Sequence, residues 1–118
     1  MHFKDIVGHQ NQKKVLLNSL ALNRVSHAQL FEGDDEYGIL GVAIAYANAV
    51  VCGNDNSAST ARLKANGMIH PDIHFIFPTA TTHEVKSKPT SNEFGSQWRE
   101  FVKEQPYATL YHWSQFLG

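Results

Sequence analysis

The sequence predicts an α/β fold: a parallel sheet flanked by helices, with only its first strands inside the 118 residues. Three observations predict it. Residues 11–22 (NQKKVLLNSLAL) repeat apolar side chains at helical spacing. The short apolar run Ala28–Glu32 (AQLFE) ends at a glycine and is followed by a second helical pattern over 38–52. A second apolar run, Asp72–Phe77 (DIHFIF), is closed by Pro78.

Taken in order, the first helix carries Val15, Leu16, Leu17 and Leu20 on one stripe, with Gln12, Lys13 and Asn18 opposite. Residues 23–27 (NRVSH) read as a connector into the first strand. The helix over 38–52 presents Ile39, Val42, Ala43, Tyr46, Ala47 and Val50 on one face. The polar stretch 53–59 (GNDNSAS) reads as an exposed loop, and a short helix is expected over Thr60–Asn66. Residues 79–91 have no periodicity. Thr90 and Glu93 then have capping-box spacing, ahead of an amphipathic helix with Phe94, Trp98, Phe101 and Val102 on one face, ended by Pro106. The tail holds Tyr111, Trp113 and Phe116, aromatics that require a surface to pack on. Only two strands are legible, and a parallel sheet covered on both faces needs more. The chain therefore reads as one N-terminal piece of a longer protein. An unpaired sheet edge in such a piece leads to an expectation of dimers or strand exchange at high concentration.

Composition narrows the function. The formal charge is −1 with histidine neutral, so global charge does not argue for nucleic-acid or anionic-membrane binding. The single cysteine, Cys52, allows no intramolecular disulfide, which fits a reducing compartment such as the cytoplasm. No apolar run is long enough to span a bilayer.

The most informative stretch is 33–41, GDDEYGILG. Gly33 and Gly38 have the spacing of a phosphate-binding loop, G-x-x-x-x-G-K-[ST], and the stretch lies between a predicted strand and a predicted helix. Ile39 stands where the lysine belongs and Leu40 where the metal-holding hydroxyl belongs. Asp34, Asp35 and Glu36 add negative charge where polyphosphate would sit. One such like-charge contact costs about 4 kcal/mol at ~4 Å and an effective dielectric near 20. Loss of the cation and gain of acid act together, so no bound nucleotide, no cofactor and no catalytic residue are expected. Gly33, Gly38, Ile39 and Leu40 form a vestigial loop.

Other candidates carry less chemistry. A zinc site from Cys52, His70 and His74 lacks the fourth ligand that closed sites use, so no metal is expected. His27 has no nearby nucleophile–acid pair and reads as a hydrogen-bonded structural histidine. Arg24 suits either a partner or solvent. Lys13, Lys14, Lys86 and Lys88 form only short basic pairs.

Several runs resemble a known family. Phe3-Lys4-Asp5-Ile6-Val7-Gly8-His9 resembles the F-x-D-I-[VI]-G-[QH] opening of AAA+ clamp-loader ATPases. Residues 24–33 (RVSHAQLFEG) resemble the run that leads into their phosphate loop, and His70-Pro71-Asp72 their H-P-D segment. Lys88-Pro89-Thr90-Ser91, Trp98-Arg99 and Pro106-Tyr107 are similar to the delta-prime branch of bacterial DNA polymerase III clamp loaders, in its Bacteroidetes-like form. The resemblance implies a RecA-like P-loop (AAA+) domain, with lid and collar domains outside this chain. It implies assembly with gamma/tau and delta subunits, and through that complex an indirect role with the sliding clamp and primed DNA. A degenerate loop fits a non-catalytic subunit. Two other readings stay open on the residues alone: an active ATP-binding clamp-loader ATPase, and a stand-alone interaction domain.

Overall fold

The computed structural model describes residues 1–53 and 59–118, with Asp35 described through its backbone only. The described chain is helical. Five α-helices follow one another: α1 (Gln10–Ala21), α2 (Ile39–Cys52), α3 (Thr60–Asn66), α4 (Gly95–Glu104) and α5 (Leu110–Leu117). Short 3₁₀ turns occupy Phe3–Asp5, Asp35–Tyr37 and Ser91–Phe94. Most of the expected loop at 53–59 lies outside the described residues.

The predicted parallel sheet, and with it the RecA-like α/β fold, is not formed: no strand occurs among the described residues. A strand is stable only when a neighbour takes up its N–H and C=O groups. Neither apolar run finds one. Ala28, Gln29, Leu30 and Glu32 are exposed, and only Phe31 turns inward, its ring tilted against Tyr46 at 6.1 Å. The second run keeps the alternation of a strand. Phe77 is buried and Ile73 and Phe75 are half-buried, while His74 and Ile76 face outward, Ile76 at 93% exposure. Its inner face packs on a helix instead of joining a ladder. One hydroxyl replaces a strand partner at Phe77: Ser91 Oγ accepts from the Phe77 N–H at 3.2 Å and donates to the Phe77 carbonyl at 3.1 Å. The sheet edge behind the expected strand exchange is absent with the sheet.

α2 is the axis of the molecule. Its residues are apolar around nearly the whole circumference, the pattern of a helix enclosed on several sides. One side, through Val42, Ala45, Tyr46 and Ala49, packs with Phe3, Ile6 and the Leu16, Leu17 and Leu20 row of α1. The other side, through Ile44 and the half-buried Leu40, packs with Phe94, Trp98, Phe101 and Val102 of the α4 region and with Trp113 of α5. Val50, expected inside, is partly exposed.

The inward stripe of α1 differs from the expected one by one position. Lys13, placed by pattern on the polar face, is only 7% exposed, and Val15 is 67% exposed. Lys13, Leu16, Leu17 and Leu20 share one face at i, i+3, i+4 and i+7. The lysine stem covers apolar surface while Nζ donates to the Ile6 carbonyl.

The tail finds its surface within the chain. Trp113 is buried, edge-on to Trp98 at 5.3 Å and to Phe77 at 5.1 Å, and Trp98 stacks on Phe77 at 4.3 Å. The Trp113 indole N–H donates to the Pro78 carbonyl at 2.7 Å. α5 begins at a reciprocal cap: Thr109 Oγ1 accepts from the His112 N–H at 3.3 Å and the Thr109 N–H donates to His112 Nδ1 at 3.2 Å. The predicted capping pair forms on the 3₁₀ turn Ser91–Phe94 just ahead of α4, the Thr90 N–H donating to the Glu93 carboxylate at 3.2 Å.

Gly41 sits inside α2, where glycine is usually unfavourable by about 1 kcal/mol. Here a Cβ would lie 2.5 Å from Ile6 Cδ1 and 2.8 Å from the Pro106 carbonyl oxygen.

Two stability measurements check this packing. Gly41→Ala should destabilise by about 1–2 kcal/mol, the overpacking cost of about 1–3 kcal/mol exceeding the helix-propensity gain; a stabilised variant in urea unfolding would contradict the close approach. Phe101→Ala should lower stability by about 3–5 kcal/mol, a large share of a domain's total; a change below ~1 kcal/mol would show that the aromatic core is not formed.

Candidate functional site

The glycine-bearing loop and the first turn of α2 form one wall of a cleft of about 660 Å³. α1 forms the facing wall with Asn11, Gln12, Val15 and Leu16. The connector residues Gln29–Asp34 close the third side, and Ile39 and Val42 of α2 lie beneath. This is the concave, mostly apolar kind of surface that holds ligands.

Two backbone N–H groups of the loop are bonded within the turn. In a working phosphate loop the backbone N–H groups point at the anion. Here the Glu36 N–H donates to Asp34 Oδ1 at 3.1 Å and the Tyr37 N–H to the Asp34 carbonyl at 3.1 Å. His9 Nε2 donates to the Tyr37 carbonyl at 2.6 Å and ties the loop to the start of α1. The 3₁₀ turn is thus closed on itself.

Gly33, Gly38, Ile39 and Leu40 all lie in close packing contacts. Gly38 caps α2 in the left-handed region at φ 83°. A Cβ there would lie 2.9 Å from Tyr107 Cδ1 and 3.0 Å from Ile6 Cγ2. Ile39 extends back over Gly33, its Cδ1 lying 2.9 Å from where a Gly33 Cβ would be. Leu40 turns away from the loop and packs against the aromatic core. The glycine loop leads directly into α2, and no strand precedes it among the described residues. Glu32, Asp34 and Glu36 are exposed along this edge.

The remaining candidates are not brought together. Cys52 is free and half-buried at the end of α2. His70 Nδ1 accepts from the Asp72 N–H at 3.1 Å, and His74 is exposed. No group of three metal-ligating side chains occurs among the described residues. His27 is exposed and makes no hydrogen bond among the described residues, so the structural-histidine reading is not met. Arg24, Lys14, Lys86 and Lys88 are exposed and do not converge on the cleft. Among the described residues no helix is long and apolar enough to cross a membrane.

Sequence reasoning missed His9, Tyr37 and Tyr107 as parts of this site. Tyr107 Oη accepts from the Val7 N–H at 2.8 Å, across 100 residues of sequence. No local pattern encodes such a contact. His9 stood within the recognisable opening motif, which was the one available signal.

A family model described as DNA polymerase III, delta subunit, matches residues 8–107. No curated protein and no solved structure matches the chain. The matched span takes in α1, the glycine loop, α2, α3 and α4 up to Tyr107. The chain therefore belongs to the DNA polymerase III delta-subunit family, a clamp-loader-related family of DNA replication.

Proposed function

We propose that the chain is a non-catalytic, delta-prime-type subunit of the clamp loader, whose glycine loop serves as packing rather than as a nucleotide site. One observation carries this reading: the loop's Glu36 and Tyr37 N–H groups are bonded within the turn, and Ile39 lies over Gly33 where a lysine would otherwise neutralise phosphate. A polyphosphate would have to displace these bonds, and it would meet exposed Asp34 and Glu36 without a cation at position 39.

In this role the subunit works in the cytoplasm beside gamma/tau and delta subunits. It meets the sliding clamp and DNA through the complex and leaves hydrolysis to its neighbours. Family membership supports the complex. The loop's hydrogen bonding supports the assignment to a subunit that forgoes nucleotide.

Calorimetric titration of ATP with Mg²⁺ into the protein tests the reading. No heat of binding is expected up to about 1 mM, the affinity range near −4 kcal/mol. Micromolar, Mg²⁺-dependent binding would overturn it in favour of an active ATPase.

A further inference from the structure

The cleft that lost its phosphate chemistry keeps a complete binding surface of another kind. Its floor is apolar, built from Leu16, Phe31, Ile39 and Val42. The apolar surface continues over the rim, where Val15, Leu30 and Tyr37 are 67%, 85% and 64% exposed. An enclosed small molecule would leave that rim wet, whereas a longer chain laid across the mouth would cover it. Asn11 and Gln12 present side-chain amides with no partner among the described residues, suited to a bound segment's backbone. The charge is one-sided. Glu32 and Asp34 line the cleft, Glu36 is exposed beside it, and no lysine or arginine lines it.

We propose that this cleft docks an apolar peptide segment flanked by lysine or arginine, carried by a partner protein. The apolar side chains of the segment enter between α1 and the first turn of α2, and its basic flanks meet Glu32, Asp34 and Glu36. Groove recognition of this kind takes its affinity from buried apolar anchors. Its charge pattern sets partner choice and encounter rate. The inference rests on the reading of the loop as closed to polyphosphate, since a bound anion would reverse the charge preference.

Fluorescence anisotropy with two labelled peptides provides the test. Both have a Leu-Phe-Leu-Leu core; one carries Lys-Lys pairs at its ends and the other Glu-Glu pairs. The lysine peptide is expected to bind about tenfold or more tightly than the glutamate peptide, a difference of about 1.4 kcal/mol. The Glu32→Lys/Glu36→Lys variant should invert that preference. Leu30→Asp, at a position exposed enough to leave the helical circular dichroism unchanged, should weaken the lysine peptide about tenfold. No binding of the lysine peptide, equal binding of the two, or an unchanged affinity in Leu30→Asp would each overturn the proposal. A wild-type dimer in light scattering that Leu30→Asp disperses would also overturn it, by assigning the cleft to a second copy of the chain. Binding of Mg²⁺–ATP in the same assay would instead defeat the closed-loop reading, whereas peptide failure without nucleotide binding would defeat the docking proposal alone.

Discussion

The close approach at the start of α2 is the constraint on which the rest of the structure depends. Gly38 and Gly41 carry no side chain on the face where Ile6, the Pro106 carbonyl and the Tyr107 ring converge. A glycine at each place removes steric bulk, and Gly38 also adopts a left-handed backbone that other residues resist. The amino-terminal turn and the segment after α4 can then both lie against one helix. With α2 held there, its two faces are committed: one to α1 and the amino-terminal turn, the other to the aromatic layer of α4 and α5. The hydrogen bond from the Val7 N–H to Tyr107 closes the same junction from outside.

That junction also explains the loop. In a phosphate site, the two glycines let the backbone approach an anion. Here they let it approach Ile6, Ile39 and Tyr107. The neighbours of both glycines are hydrocarbon side chains. The apolar contact of Ile39 over Gly33 stabilises this arrangement. The acidic edge then becomes a feature of the cleft's outer rim.

Local signals in the sequence were read well where a single element decides its own state. The apolar periods located α1, α2 and α4, the Thr90–Glu93 pair located the start of the α4 region, and Thr60–Asn66 formed as a helix over the expected residues. α5 is not apparent in the sequence because Tyr111, Trp113 and Phe116 lie in a short stretch that leaves little room for a helical period, although Thr109 and His112 cap it. The strands failed for a physical reason: apolar alternation reports which side chains point inward, not whether a ladder partner exists. Residues 73–77 satisfy the first condition on a helix and never meet the second. Lys13 is buried against its charge because its place in the i, i+3, i+4, i+7 row puts its stem on the inner face and its Nζ at the Ile6 carbonyl. Of the site, the glycine-bearing stretch ahead of α2 was legible, since Gly38 borders the apolar period that forms the helix. The cleft was not, because α1, the connector and α2 meet there only through tertiary packing.

A carbon-edited NOE spectrum of the labelled protein tests the helical, glycine-centred arrangement most directly. Cross-peaks are expected from the Ile6 methyls to the Gly38 and Gly41 α-protons and from the Tyr107 ring to Gly38. Their absence, together with inter-strand NOEs between residues 28–32 and 73–77, would contradict it and restore the sheet.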